Sequence, residues 1–147
     1  MPRGWQRSTS PVFASSDGMR SAVATCRRIL IVEDDYFVGA LLEQHLRDAG
    51  FQVIGIAMTA DEAVRFAERE RPDLAVMDVR LAGGRDGIDA AIELRSRYNI
   101  PSLFATAHGD AATQTRAEKA RPAGWLTKPY SAQLAVATIR KILDQRI

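Results

Sequence analysis

The most informative segment of this 147-residue chain reads Leu74-Ala75-Val76-Met77-Asp78-Val79-Arg80. Its apolar residues follow Pro72, and a glycine-rich loop occupies residues 83–87. A short apolar run between such breakers is typical of a strand buried on both faces of a parallel sheet. Asp78 then lies at the carboxyl end of that strand, where open parallel sheets bind their ligands. We therefore expect Asp78 to be the centre of a site if other polar residues meet it there.

Strand-like and helix-like segments alternate along the rest of the chain. Besides the central strand, apolar runs predict strands at residues 28–32, 51–57, 102–105 and 123–126. A predicted helix follows each strand, although the alanine-rich segment 109–120 has a weaker helical pattern. Five strands that alternate with five helices predict an α/β fold, in which helices cover both faces of a parallel sheet.

Capping residues support the first two helices. Helical spacing of apolar residues predicts the first helix: Phe37, Val38, Leu41, Leu42, Leu46 and Ala49. Gly50 favours its end, because glycine tolerates the left-handed backbone of a C-terminal cap. Asp35 is sufficient to cap its start, which leaves Glu33 and Asp34 for another role. Thr59 and Glu62 have the spacing of a capping box for the second helix.

Composition and charge restrict the function. The length suits one domain with a sizeable core, and the single cysteine, Cys26, excludes an internal disulfide and a cysteine metal cluster. No segment resembles a membrane span or a signal peptide, so we expect a cytoplasmic protein. The sequence pI is about 9.0, but residues 1–28 hold five arginines against one aspartate, while the remainder has 15 basic and 17 acidic residues. We predict a flexible N-terminal arm at residues 1–26, a domain at residues 27–147, and no direct binding of nucleic acid.

Four of the five predicted strands end in charged or hydroxyl groups. These strand ends carry Glu33 and Asp34, Asp78, Thr106 and Lys128. Three neighbouring carboxylates repel one another, and a divalent cation relieves this repulsion. Oxygen ligands suit Mg²⁺, which often bridges to a phosphate, while a lysine and a hydroxyl can bind phosphoryl oxygens. The set predicts phosphoryl transfer, with Asp78 as the nucleophile.

Four motifs carry a resemblance to a known family. They are Ile-Val-Glu-Asp-Asp at residues 31–35, Val-Met-Asp-Val at 76–79, Ala-Thr-Ala at 105–107 and Thr-Lys-Pro-Tyr at 127–130. In this order and spacing they resemble the receiver domain of bacterial two-component response regulators, over about residues 28–146. The resemblance implies a flavodoxin-like, three-layer fold with a five-stranded parallel sheet in the order 2-1-3-4-5. It also implies Mg²⁺ dependence and phosphorylation by a sensor histidine kinase.

The resemblance assigns a role to at least one residue of each motif. Glu33 and Asp34 become the acidic pair, Asp78 the phosphoacceptor, and the main-chain carbonyl of Arg80 a further metal ligand. Thr106 becomes the switch hydroxyl and Lys128 the phosphate-binding lysine. His108, two residues past Thr106, is expected to border the site.

The chain departs from the family pattern at several positions. Trp125 stands where the switch aromatic is usually Tyr or Phe, Ala82 stands where proline is usual, and Arg121-Pro122 replaces a Gly-Ala step. Phe104-Ala105-Thr106 also resembles the single-domain receivers with a Phe-Ala-Thr-Gly signature, although Ala107 replaces the glycine. Trp125 therefore has two interpretations, a switch residue that moves inward or an aromatic side chain that stays outward and packs.

The leading functional interpretation is a stand-alone receiver, because only one predicted helix follows Lys128. Such a receiver would signal to a downstream protein through the fourth helix, fifth strand and last helix, and could dimerise on phosphorylation. The alternative is a phosphorelay intermediate that passes its phosphoryl group to a histidine phosphotransfer protein.

Enzymatic alternatives have less support. Haloacid-dehalogenase-type phosphatases need a second aspartate two residues after the nucleophile, and Arg80 occupies that position. The sequence also lacks the glycine motifs of nucleotide hydrolases and dinucleotide-binding proteins. We expect self-catalysed phosphorylation and dephosphorylation only, without enzymatic turnover.

Overall fold

The computed structural model describes residues 27–107 and 109–145. The five strands are β1 (Arg28–Val32), β2 (Gln52–Ala57), β3 (Leu74–Asp78), β4 (Ser102–Thr106) and β5 (Gly124–Thr127). The five helices are α1 (Tyr36–Asp48), α2 (Ala60–Glu70), α3 (Gly87–Tyr98), α4 (Ala111–Ala117) and α5 (Ala132–Asp144), and a short 3-10 turn, Glu118–Ala120, follows α4. The arm predicted at residues 1–26 and the predicted site neighbour His108 lie outside the described residues.

The strands form one parallel sheet in the order β2-β1-β3-β4-β5. This confirms the predicted fold class and strand order. Each crossover between parallel strands contains a helix, as the alternating sequence pattern requires. The order also makes β1, β3, β4 and β5 four consecutive neighbours, and these are the strands with polar residues at their carboxyl ends.

Two apolar layers cover the two faces of the sheet. One layer packs α2, α3 and α4 against Leu30, Met77 and Phe104, while the other packs α1 and α5 against Ile31 and Val76. Successive strand side chains point to opposite faces, so each central strand supplies both layers. Every residue of β3 is buried, which explains its continuous apolar sequence.

Helix ends follow the predicted caps with one difference in detail. The Asp35 carboxylate accepts hydrogen bonds from the backbone N–H groups of Phe37 and Val38, at 3.1 and 3.3 Å. The Thr59 hydroxyl accepts a hydrogen bond from the Glu62 backbone N–H, as a capping box requires. The Glu62 carboxylate, however, accepts from the backbone N–H of Met58 and not from that of Thr59. Gly50 has a φ of +97°, the left-handed conformation that the end of α1 requires.

The apolar residues of α1 divide between two surfaces. Leu42 and Leu46 are buried against the sheet, whereas Phe37 and Leu41 are 83% and 62% exposed. Helical spacing correctly predicted the helix, but its apolar residues are too widely distributed to face one core. Within residues 27–107 and 109–145, no helix has both the length and the apolar character needed to cross a membrane.

The start of α3 packs directly on the end of β3. The Gly87 N–H donates to the Val79 carbonyl at 2.8 Å. A Cβ atom at Gly87 would overlap the carbonyl oxygen of Asp78 and lie 2.9 Å from its carbonyl carbon. Only glycine allows this close approach of the helix to the backbone of Asp78.

We predict that Gly87→Ala destabilises the protein by at least the about 1–3 kcal/mol typical of overpacking, because the obstacle is backbone and cannot rotate away. Urea unfolding measures this change. Gly84→Ala is the matched control, since a Cβ there meets no atom within 4 Å and should change stability by less than about 0.5 kcal/mol. Equal effects of the two substitutions would contradict the close approach.

Candidate functional site

The predicted site residues meet at the carboxyl edge of the sheet. They line one cavity of about 290 Å³, together with Asp35, Val38 and Ala107. The site residues in this lining are Glu33, Asp34, Asp78, Arg80, Thr106 and Lys128. The strand order explains the convergence, because β1, β3, β4 and β5 are adjacent and end on the same side.

Two buried carboxylates share one ammonium group at the base of this cavity. Glu33 and Asp78 are each only 6% exposed. The Lys128 Nζ atom lies 3.2 Å from Asp78 Oδ2 and 3.4 Å from Glu33 Oε1. Burial without such a partner would strongly disfavour the charged carboxylates. Lys128 therefore makes it possible for both acids to lie at the sheet edge.

Backbone hydrogen bonds fix the orientation of both carboxylates. The Asp35 N–H donates to Glu33 Oε2 at 3.1 Å, and the Arg80 N–H donates to Asp78 Oδ1 at 3.3 Å. The second oxygen of each carboxylate faces Lys128. The Thr106 carbonyl accepts from the Lys128 N–H at 2.9 Å, which joins the ends of β4 and β5 beside the cavity.

The charges of these groups are strongly interdependent. Burial raises the pKa of Glu33 to about 7, and the Asp78 charge adds to the rise, although the Asp35 N–H and Lys128 oppose it. Burial opposes the charge on Lys128, but Asp78 and Glu33 outweigh this effect and raise the pKa of the ammonium group. The site thus holds excess negative charge that a single lysine only partly neutralises.

The acidic residues are close enough to bind one cation together. Glu33, Asp34 and Asp78 each place one carboxylate oxygen within 4.8 Å of the others, and Asp34 is exposed at the mouth of the site. Oxygen donors of this kind suit Mg²⁺, which keeps several waters and needs few protein ligands. The donor set therefore fits the magnesium site implied by the sequence resemblance.

Trp125 lies away from this cavity. Its ring stacks on Phe104 with a centroid separation of 4.9 Å and an interplanar angle of 27°. Both rings pack in the layer of α2, α3 and α4, whereas Ala105 and Ala123 pack on the opposite face. Trp125 is not among the described residues that line the cavity, and its predicted role as a switch stays a prediction.

Sequence reasoning missed two features beside the site. Tyr130 is half-buried against α1, where burial raises the pKa of its phenol. An apolar groove of about 490 Å³ extends from the site between α1 and the start of α5. Its lining is Val38, Leu41, Leu42, His45, Ala107, Lys128, Pro129, Tyr130 and Ala132. The signal that could have indicated the groove is the excess of apolar residues in the first two turns of α1.

We predict that the carboxylate of Glu33 makes the metal-free protein less stable as the pH rises from about 4.5 to about 7. The folded state binds this proton more tightly than the unfolded chain, so ionisation favours unfolding across that window. Glu33→Gln should remove this decrease in the free energy of unfolding, which amounts to at most about 3 kcal/mol across the window. The measurement is the free energy of urea unfolding at several pH values with EDTA present. Parallel slopes for the wild type and the variant would contradict the raised pKa.

Comparison with known proteins places this chain in a family. Residues 29–140 match the family model of the response regulator receiver domain. The chain is 38% identical over 126 residues to the transcriptional regulatory protein PdtaR of Mycobacterium tuberculosis, and 34% identical over 127 residues to the phyllosphere-induced regulator PhyR of Methylorubrum extorquens. These alignments cover 81% and 86% of this chain, but only 61% and 47% of the two relatives.

Solved structures agree with the sequence comparison. The signal receiver domain of a modulated diguanylate cyclase from Desulfovibrio desulfuricans G20 is 35% identical and superposes with a TM-score of 0.75, covering 81% of this chain and 94% of that one. A CheY-like receiver domain protein from Methanospirillum hungatei JF-1 has a TM-score of 0.76 at 24% identity, over 82% of this chain and 96% of that one, which shows a shared fold. With a family model that matches most of its length, the chain belongs to the response regulator receiver domain family.

Proposed function

We propose that this chain is a phosphorylation-controlled signalling protein, in which a sensor histidine kinase or histidine phosphotransfer protein phosphorylates Asp78. One observation carries the proposal. The carboxylate of Asp78 is buried at a strand end, with the Lys128 ammonium at 3.2 Å and two further carboxylates within reach of a shared cation. This arrangement suits a nucleophile that must accept a dianionic group.

The residues of the cavity have distinct proposed roles. One carboxylate oxygen of Asp78 attacks the phosphorus of a phosphohistidine, so that a P–O bond forms, the P–N bond breaks and the imidazole leaves. Lys128 is in place to bind a phosphoryl oxygen, since its ammonium group already contacts Asp78. The Thr106 hydroxyl is proposed to donate to another phosphoryl oxygen once the group is attached.

Glu33, Asp34 and Asp78 would hold Mg²⁺, with the carbonyl of Arg80 as a further ligand. When bound, the ion supplies positive charge that stabilises the transferring phosphoryl group. Asp34 is the ligand most open to solvent, while buried Glu33 is held by the Asp35 N–H and by Lys128. The side chains thus provide an exposed entry and a fixed base for the ion.

The apolar groove beside the site is proposed as the surface where the phosphodonor docks. Val38, Ala107 and Lys128 line both the groove and the acidic cavity, so a partner seated in the groove lies directly next to Asp78. The exposed side chains of Phe37 and Leu41 extend this surface along α1. Apolar patches beside a polar site are typical of protein–protein contacts.

We also propose that the chain has no enzymatic turnover, that it acts in the cytoplasm and that its output is a contact with a downstream protein. Arg80 stands two residues after Asp78, so this position lacks the second aspartate that a haloacid-dehalogenase-type phosphatase needs. The α4–β5–α5 side, which includes half-buried Trp125, is the proposed output face and the proposed surface for dimerisation on phosphorylation.

We expect Asp78→Asn to abolish covalent labelling by acetyl phosphate with Mg²⁺, because an amide cannot act as the nucleophile. Intact-protein mass spectrometry measures the added phosphoryl group. The matched control is Asp73→Asn, a carboxylate at the opposite edge of the sheet that accepts from the Arg28 N–H; it should label normally if it folds. Wild-type labelling of Asp78→Asn would overturn the assignment of the phosphoacceptor.

The docking surface is tested by comparing two phosphodonors. Phe37→Ala combined with Leu41→Ala should slow phosphotransfer from a phosphorylated histidine kinase by about tenfold or more, because a few large, central side chains carry most of the energy of an interface and cost over about 1 kcal/mol each when truncated. Labelling by acetyl phosphate, which needs no docking surface, should be unchanged. The measurement uses the histidine kinases of the source organism, each first autophosphorylated.

The control is Met58→Ala, which removes an exposed apolar side chain that lies outside the groove. Equal transfer rates for the double variant and this control would exclude the groove as the docking surface. Rapid return of the phosphoryl group to a histidine protein would instead identify the chain as a phosphorelay intermediate.

A further inference from the structure

Helix α4 is attached to the rest of the protein by unusually little apolar surface. Within residues 111–120, which cover α4 and the following 3-10 turn, the buried side chains are Ala117 and Ala120. Each alanine buries only a methyl group, so the apolar contribution to the attachment is small. Other interactions must therefore determine where α4 lies.

Arginine side chains supply these interactions, at the last turn of α4 and around the end of the 3-10 turn. The Arg116 guanidinium donates to both carboxylate oxygens of Asp86, at 3.0 and 3.1 Å, and to Asp89 Oδ1 at 3.2 Å. From α3, Arg95 donates to the carbonyls of Ala120 and Arg121 at 3.1 and 2.8 Å. The two guanidinium groups fasten α4 to α3 through charged hydrogen bonds, which are stronger than neutral ones.

The acceptors of Arg116 also form the capping box of α3. The Asp86 carboxylate accepts from the Asp89 N–H at 3.0 Å, and the Asp89 carboxylate accepts from the Asp86 N–H at 3.1 Å. Burial opposes the charge of Asp86, but Arg116 and the hydrogen bonds from Asp89 together outweigh it and lower the pKa of this carboxyl group. Arg116 is thus bound to the two reciprocally hydrogen-bonded carboxyl groups that cap the first turn of α3.

This first turn is in direct contact with the phosphoacceptor backbone. Gly87, the residue after Asp86, packs against the carbonyl group of Asp78 and donates to Val79 at 2.8 Å. Arg85, the residue before Asp86, donates hydrogen bonds to the carboxylates of Asp61 in α2 and Glu93 in α3, at 3.0 and 2.6 Å. A displacement of the loop after Asp78 would therefore move the carboxylates that hold Arg116.

We infer that the Arg116–Asp86–Asp89 contact is a conformational clamp, which holds α4 against α3 while Asp78 is unmodified and opposes the rearrangement that accompanies its phosphorylation. The inference rests on the proposed function for its link to phosphorylation. Arg116 is a positioning residue, since it touches none of the reacting groups. In this inference the bonds break when the loop after Asp78 moves, so they favour the unmodified conformation, and removing them shifts the population toward the other.

The test uses the full chain with Arg116→Gln, which removes the guanidinium and its charge but keeps a polar side chain that suits a helix. Lys119→Gln is the matched control, because Lys119 is exposed in the same segment and forms no ion pair with any described residue. Hydrogen exchange of residues 111–120 is measured without a phosphoryl analogue. The affinity for beryllofluoride with Mg²⁺, an analogue of the phosphoryl group, is then measured by calorimetry.

We expect Arg116→Gln to speed exchange in α4 by about two- to fivefold and to tighten beryllofluoride binding by a similar factor, as the loss of a half-exposed ion pair allows. The control should match the wild type in both measurements. Unchanged exchange would overturn the clamp. Faster exchange with unchanged or weaker beryllofluoride binding would contradict the inference that the contact opposes the rearrangement.

The two measurements separate this inference from the proposed function. If the wild type binds no beryllofluoride, the proposed phosphorylation of Asp78 and the link to it are both overturned. The exchange comparison still decides whether Arg116 positions α4, because it is made without any ligand at Asp78.

Discussion

The contact on which the site depends is the Lys128 ammonium between the buried carboxylates of Glu33 and Asp78. Two acids at neighbouring strand ends repel each other, and burial penalises their charges further. Lys128 offsets part of this cost, yet the pKa of Glu33 still rises to about 7. The site therefore holds more negative charge than Lys128 neutralises, and a bound cation would relieve this excess.

The sheet order turns this contact into a functional site. Because β1 lies between β2 and β3, the ends of β1, β3, β4 and β5 are consecutive along one edge. A sheet order in which β1 did not adjoin β3 would separate Glu33 and Asp34 from Asp78. The loops that leave this edge then build the cavity, and Gly87 lets α3 start directly beside the backbone of Asp78.

The two faces of the sheet hold their helices by different means. On one face, α1 buries Leu42 and Leu46 and still exposes Phe37 and Leu41 next to the cavity. On the other face, α4 buries little apolar surface and depends on arginine contacts to α3. Apolar burial is insensitive to direction, whereas charged hydrogen bonds are geometrically specific and exchange readily with water. The two faces therefore differ in the kind of interaction that fixes their helices.

Local sequence patterns were sufficient for much of this structure. The apolar run before Asp78, the alternation of strands and helices and the caps at Asp35 and Thr59 each depend on residues close together in the chain. The same holds for the polar strand ends, whose meeting followed from the general geometry of parallel sheets. The predicted element boundaries differ little from those of the structure. The strand predicted at residues 102–105, for example, extends to Thr106.

Only the tertiary structure decided which side of each element faces which neighbour. The spacing of apolar residues in α1 could not separate buried Leu42 from exposed Leu41, because exposure depends on where α5 lies. The stack of Trp125 on Phe104 joins two strands whose pairing register is not written in either one. Arg116 finds Asp86 across 30 positions of sequence, and no local pattern encodes such a pair. Contacts between distant residues follow from packing of the whole chain, so they become visible only once the helices are in place.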